Sequence, residues 1–387
     1  MPAKAIALSR SVGDLLRHRR RHLGYTLRDV EKLTSSQGNL IPFSTLARIE
    51  QGRLDPGLKR LHALLVLYGL PIQAAGDLLD LETMAGDAQA EGSVATLRDR
   101  GVKAWQDGDF PAAIACYLAM RHHESEREPD RELRHESIHA FAVMAAKLGK
   151  HHIARQMLDE LVLDRPARPM LIRVLVQLAS SWHALGAPEL ALALIAGAEA
   201  LIAPSDRRGR GWVLHLRASI QIDLAAFDDA RANLVAAARA YQQAGRPYDR
   251  ALSLVALARL EVERGAAGEA QRAARRAATF ASAEGFSRIH ALAVIQEARA
   301  SLAADKADRA VAVLTRALAA TVATSDNVVR FYVHFYLSKA YAASGDSLRS
   351  QVELEQARYF VRFVDQASKE TSEVRGRLRN TGSASST

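Results

Sequence analysis

The chain has a single cysteine, Cys116, among its 387 residues. No intrachain disulfide framework is possible, and a lone thiol fits a reducing compartment, which makes the cytoplasm the expected location. No apolar run approaches the roughly 18–20 residues needed to cross a bilayer. The opening residues, MPAKAIALSRSVGD, lack the apolar stretch of a secretory leader, so no membrane is expected among the partners. No segment alternates apolar and polar residues between turn signals in the way a strand does. A glycine-rich phosphate loop, a G-x-S-x-G elbow and paired-cysteine zinc spacing are all missing. No catalytic residue, metal ligand or cofactor is therefore expected, with one motif still to be weighed below.

What is present is the balance of a globular protein: 49% apolar and 25% charged residues, on a chain long enough for two or more units. The net charge of +9 is unevenly placed. Residues 1–60 hold twelve Lys/Arg against five Asp/Glu, and the remaining 327 residues hold forty against thirty-eight. A basic terminal unit on a nearly neutral body is expected when only that unit meets a polyanion; the alternative is a merely solvated basic surface.

Apolar residues recur at spacings of three and four, alanine and leucine abound, and Gly and Pro fall between the periodic stretches, which predicts helix throughout. Residues 85–93 (AGDAQAEGS) read as a linker, and residues 380–387 (NTGSASST), lacking an apolar anchor, as a disordered end. Between them lies a repeat. Small residues recur at Gly101, Ala142, Ala179, Ala218, Ala258, Ala298 and Ser338, about 40 residues apart. Twelve residues after each comes a second set: Ala113, Ala154, Ala191, Ala230, Ala270, Ala310 and Ser350. Gly or Asp often falls between the two, as at Gly108-Asp109, Gly149, Gly186, Asp305 and Gly345-Asp346. Each unit therefore reads as helix, tight turn, helix, with small side chains where the two axes approach.

Residues 97–120 (LRDRGVKAWQDGDFPAAIACYLAM), with Gly101, Ala104, Gly108, Phe110, Ala113 and Tyr117, resemble the tetratricopeptide repeat family; Pro166 follows the second unit as in that family. The departure is the period, about 40 residues here against the family's 34, which implies longer helices or loops. The resemblance implies a curved right-handed solenoid over residues 94–366 whose concave face binds peptides or proteins.

Residues 11–82 resemble the Cro/repressor-type, or Xre-like, helix-turn-helix family. A first helix is expected over residues 12–22, with Leu15 and Leu16 inward and Arg17, Arg19, Arg20 and Arg21 largely outward. Thr26 is expected to cap a second helix over residues 27–33. The run FSTLARIEQG, from Phe43 to Gly52, carries the strongest signal; Arg53 and Pro56 follow in place, then a helix over residues 58–68. The resemblance implies that double-stranded DNA is met by Arg28, Phe43, Ser44, Thr45, Ala47, Arg48, Gln51 and Arg53, with Glu50 structural. Arg48 is a candidate for guanine or phosphate. One departure is length: Val30 to Glu50 spans twenty residues where the family has about fifteen, and the excess lies in residues 34–42 (TSSQGNLIP).

His135-Glu136-Ser137-Ile138-His139 is a literal H-E-x-x-H, the zinc-peptidase signature, with Glu160 a possible third ligand by distance. Against that reading, the motif falls in register inside the second repeat, and a His- and Glu-bearing solenoid face is expected instead. His122-His123 and His151-His152, near turns, are expected to be solvated, and Cys116 to be core. By the tetratricopeptide resemblance, the concave face is lined by Arg98, Trp105, Glu136, His139, Arg173, His183, Trp212, His215, Arg259, Arg299, Tyr332 and Lys339. That lining would favour a carboxylate-bearing ligand such as an extended peptide.

The expected architecture is all-α. A tail (residues 1–10) precedes the helix-turn-helix domain (11–82), a linker (83–93), about seven helix pairs (94–366) and a second tail (367–387). The layout resembles peptide-sensing regulators that join an Xre-like domain to tetratricopeptide repeats. It implies a homodimeric transcriptional regulator whose solenoid senses a ligand. The alternatives are an adaptor that recruits proteins through the solenoid and, less favoured, a zinc peptidase.

Overall fold

The computed structural model describes residues 10–126, 131–321 and 326–382, and among them every regular element is helical. Five helices form the N-terminal unit: α1 (Arg10–His22), α2 (Leu27–Ser36), α3 (Phe43–Glu50), α4 (Gly57–Leu67) and α5 (Ile72–Ala85). Seven helix pairs follow. They are α6 (Val94–Asp107) with α7 (Phe110–Glu126), α8 (Arg131–Lys147) with α9 (His151–Leu163), and α10 (Arg168–Ala184) with α11 (Pro188–Leu201). Next come α12 (Arg207–Asp223) with α13 (Phe227–Gln243), α14 (Pro247–Glu263) with α15 (Ala267–Ala283), α16 (Ser287–Ala303) with α17 (Ala307–Thr321), and α18 (Asn327–Ala343) with α19 (Ser347–Phe360). A short 3₁₀ turn (Val361–Phe363) leads to α20 (Lys369–Gly382). The all-α expectation, a helix-turn-helix domain followed by about seven paired helices, is borne out.

The two small-residue series sit where each pair crosses. From the second pair to the sixth all ten of these alanines are fully buried, at 0% exposure. In the first pair a side chain on Gly101 would meet the Tyr117 ring at 3.2 Å and Cys116 Cβ at 3.3 Å. In the seventh, the serines bond instead, Ser350 Oγ donating to the Ser338 carbonyl at 2.9 Å. The turn follows seven residues after each member of the first series, and it needs a left-handed residue. Gly108, Gly149, Gly186, Gly265 and Gly345 supply it at no steric cost. Ala225 (φ 58°) and Asp305 (φ 55°) take the same conformation in the fourth and sixth pairs.

First helices of successive pairs pack on one another, from α6 on α8 through to α16 on α18, and so form one continuous inner face. The coil is also tied across its turns. Trp105 Nε1 donates to the Tyr248 hydroxyl at 3.2 Å, and the Lys147 ammonium lies over both rings. Arg288 donates to the Lys147 carbonyl at 2.6 Å and pairs with buried Asp326 at 2.5 Å. The first two pairs are thus fastened to the fifth, sixth and seventh.

The N-terminal unit does not hang free. Helix α1 packs on α7, and α5 on α7 and α9, so one apolar core runs from Val12 to Leu178. His122, expected to be solvated, instead bonds Asp14 of α1 at 3.0 Å, and His151 is buried; the His123 side chain lies outside the described residues. The tail expected from residue 367 onward carries α20, and residues 361–376 turn back along the inner face. Residues 383–387 lie outside the described residues.

Two substitutions test the crossing and turn geometry. Ala258→Leu forces a large side chain between α14 and α15 and should lower stability by about 1–3 kcal/mol. Ala225→Gly relieves the left-handed alanine and should raise it by up to about 1 kcal/mol. Urea titration of each variant against the parent measures both, and equal midpoints would show that the crossing and the turn are not constrained as described.

Candidate nucleic-acid interface and solenoid groove

Helix α3 is fixed from behind and free in front. Leu46, Ile49 and Glu50 are buried, and Gly13 of α1 lies so close that a Cβ there would meet the Ile49 carbonyl oxygen at 2.9 Å. The Glu50 carboxylate accepts both Arg20 Nε (2.6 Å) and Nη2 (2.8 Å), while Arg20 Nη1 donates to the Tyr25 carbonyl. Arg20 was expected largely outward. It is instead buried, because the chain needs a fork-shaped donor to satisfy a buried carboxylate. Arg19 is also held inward, donating to the Tyr68 carbonyl at 2.9 Å and lying 3.8 Å from Glu160 of α9.

The second helix begins as expected. Thr26 accepts from Asp29 N–H at 3.2 Å, and the Asp29 carboxylate accepts from Thr26 N–H at 2.9 Å. The excess length of residues 34–42 is absorbed by an extension of α2 to Ser36 and by a compact turn. In that turn the Thr34 hydroxyl accepts from Ile41 N–H at 3.2 Å and Ile41 is fully buried.

Of the residues implied for DNA, Arg28, Phe43, Ser44, Arg48, Gln51 and Arg53 are exposed, and Thr45 and Ala47 are half-buried. The Arg28 guanidinium lies 5.8 Å from the centre of the Phe43 ring. Glu31 Oε1 accepts from Phe43 N–H at 3.3 Å, at the start of α3. Among the described residues none of Arg28, Arg48 and Arg53 is paired with a carboxylate.

The cations expected to line the solenoid groove are arranged differently, each facing an acid. Arg98 pairs with Asp99 (3.0 Å), Arg173 with Glu136 (2.5 Å), Arg299 with Glu263 (2.6 Å) and Lys339 with Glu373 (2.6 Å). Arg259 pairs with Asp223, which also takes His183 at 2.7 Å. Burial works against the Asp223 charge, but His183 and Arg259 prevail and hold its carboxyl below the ordinary value. Most of these contacts join neighbouring first helices, so the inner face is a ladder of ion pairs rather than a row of open cations. Trp105 is buried in the cross-turn contact, whereas Trp212 stays half-exposed with the Arg208 guanidinium 4.5 Å from its ring centre. Arg208 has no carboxylate partner among the described residues. Burial first, and Arg246 next, hold its guanidinium below the usual arginine value. Sequence reasoning passed over Arg208 because it precedes the position aligned with the family's lining residues.

The two histidines of the HESIH run have different neighbours. His135 Nε2 lies 3.8 Å from Asp164, and His139 Nδ1 is 3.1 Å from Arg173. Glu160 is turned toward Arg19. Among the described residues no group of three or more His, Cys, Asp or Glu side chains is placed to hold a metal ion. Burial pushes His139 down to about 3 and His151 down to about 4, and His215, 3.0 Å from the Ser253 hydroxyl, down to about 4.

Residues 11–78 match the helix-turn-helix domain family. No curated protein matches the chain in sequence. Among solved structures, a Rap protein complexed with competence and sporulation factor is similar in fold, with a TM-score of 0.51 and 13% identity, over 74% of this chain and 87% of that one. A tetratricopeptide repeat protein from Parabacteroides merdae ATCC 43184 gives a TM-score of 0.43 at 17% identity, over 73% of this chain and 96% of that one. A signal transduction ATPase with numerous domains and a tetratricopeptide repeat sensor, from Pyrococcus horikoshii, gives 0.47 at 11% identity, over 98% of this chain and 64% of that one. By fold the chain is an N-terminal helix-turn-helix domain joined to a tetratricopeptide-like solenoid.

His139 and His151 stay neutral when folded to well below their unfolded value near 6.5. The unfolded chain binds more protons there, so stability is present above pH 6.5 and is lost as pH falls toward 4. Thermal melts between pH 7 and pH 4 should show this decline, and it should be shallower in His151→Gln. A melting temperature indifferent to acid over that range would contradict it.

Proposed function

We propose that the chain is a sequence-specific DNA-binding transcriptional regulator that acts as a homodimer. In this reading α3 enters the major groove, with Phe43, Ser44, Thr45, Ala47 and Arg48 toward base edges. Arg28, Gln51 and Arg53 hold the flanking phosphates. The observation that supports this is the contrast between two sets of cations. Arg98, Arg173, Arg259, Arg299 and Lys339, at the lining positions of the solenoid, each face an acid of the same chain. Arg28, Arg48 and Arg53, around the outer face of α3, are exposed and have no carboxylate partner among the described residues, and they belong to the basic stretch of residues 1–60. A buried Arg20–Glu50 fork behind α3 keeps that face rigid, which base reading requires.

We further propose that the solenoid takes a peptide or other anionic ligand. The Rap protein of similar fold was solved with its competence and sporulation factor, and on that likeness the solenoid is the part of this chain to examine for a ligand. Arg208 stacked on Trp212 offers a guanidinium without an ion-pair partner among the described residues, beside a half-exposed aromatic ring, suited to a carboxylate with an apolar neighbour.

The DNA reading is tested on the full chain, since α1 and α5 share their core with the solenoid. Affinity for duplex DNA should fall steeply with salt as phosphate contacts release counterions. Arg48→Ala should cost about 1–3 kcal/mol on the preferred sequence if it reads a base, and an equal loss on every sequence would make it a phosphate contact. A chain that binds duplex DNA no better than Arg28→Ala/Arg48→Ala/Arg53→Ala would overturn the proposal.

A further inference from the structure

The inner face on which a ligand was expected already holds a segment of the chain. From the end of the seventh pair, residues 361–376 cross back toward the second. Asp365 N–H donates to the Gly149 carbonyl at 2.9 Å, and Ala367 N–H to the Ala184 carbonyl at 2.6 Å. Helix α20 then lies against the first helices of the fifth, sixth and seventh pairs. Lys369 reaches Glu263 at 3.2 Å; Glu370 accepts from the Tyr336 hydroxyl and lies 3.9 Å from Arg299; Glu373 takes Lys339 at 2.6 Å. Thr371 and Val374, in the same stretch of α20, are fully buried. Glu370 and Glu373 stand one helical turn apart, and both face cations of the solenoid, which is how an amphipathic helix is read by a groove.

The other end of this segment meets the anchorage of the DNA-binding domain. The Asp365 carboxylate accepts from His152 N–H at 3.2 Å. The Asp77 carboxylate, on α5, accepts from the next N–H, that of Ile153, at 3.0 Å. Both acids thus sit on the first turn of α9, where the helix dipole favours negative charge. Lys150, 1% exposed, lies 3.8 Å from Asp77, pairs with Asp80, and has its ammonium 5.7 Å from the centre of the Phe363 ring. Burial, and Asp365 beside it, push the Asp77 carboxyl upward. Asp365 and Asp77 share one helix terminus and interact with each other, so moving one changes how the other is held.

We propose that the inner face of the fifth to seventh pairs is a binding site for a peptide helix presenting two carboxylates one turn apart, that α20 is its built-in occupant, and that occupancy is transmitted to the helix-turn-helix domain where Asp365 and Asp77 meet on α9. A peptide of the same chemistry competes with α20 and draws Asp365 away from α9, and α5 is then held less firmly. Because such coupling is reciprocal, anything that fixes α5 also favours the seated α20. The proposal deepens the regulator reading and rests on it only for what the coupling controls. Its test contains no DNA, so the two fail separately.

The test is amide hydrogen exchange on the full chain. Glu370→Gln/Glu373→Gln should speed exchange in α20 by about tenfold or more, and should also speed it in α5, which touches neither glutamate. A synthetic peptide of residues 365–382, which brings its own Asp365 to α9 unlike a competitor lacking that residue, should bind that variant and slow α5 exchange again. Lys339→Glu and Glu373→Lys should each lose protection, and the combined charge swap should restore it, which separates a lost ion pair from a misfolded chain. The proposal is overturned if α20 loosens while α5 is unchanged, if α20 is indifferent to loss of its carboxylates, if the peptide leaves α5 unprotected, or if the swap fails to rescue.

Discussion

Each helix pair depends on one steric condition: two small side chains twelve residues apart must meet where the axes cross. The condition is local, and it recurs seven times with little drift, so the geometry of the coil follows from its repetition. Close crossing lets the first helices of neighbouring pairs touch and merge into one inner face. On that face the longer side chains are brought within reach of acids one repeat away. The ladder Glu136–Arg173, His183–Asp223–Arg259 and Glu263–Arg299 exists because alanines elsewhere permit it.

What could be read from the sequence was what depends on near neighbours. The small-residue register, the left-handed turn position and the capping of α2 by Thr26 all involve residues within one repeat. Glu50 could be assigned a structural role from its motif, but its partner, Arg20, lies thirty residues earlier and was placed on the wrong side of α1. Helical periodicity alone put it with its basic neighbours at the surface. A buried carboxylate across the domain decided otherwise.

The same limit explains the rest. Little within residues 367–382 marks them as a groove occupant: the stretch is mostly polar, with Ala367, Val374 and Leu378 its only aliphatic residues, so it read as a tail. The acids that neutralise Arg173, Arg259 and Arg299 lie some 36–37 residues before them, outside any window of helical periodicity. Histidines beside turns read as solvated, yet His122 and His151 face the N-terminal unit and the returning C-terminal segment. These contacts arise only when distant parts of the chain meet. The exposure of Arg28, Phe43, Ser44, Arg48, Gln51 and Arg53 needed no distant partner to be foreseen, since these side chains are directed away from the core of their own domain.

The fastening of Trp105 to Tyr248 and of Arg288 to Lys147 has a bearing on heredity as well as on shape. Open arrays of helical repeats gain and lose units readily, because each repeat touches only its neighbours. Here residues 143 and 141 positions apart must coincide after one circuit of the coil. Duplicating or deleting a single unit of forty residues between them would bring the wrong side chain to the seam, so the number of pairs from each partner to the other is fixed in a way the repeats themselves do not demand.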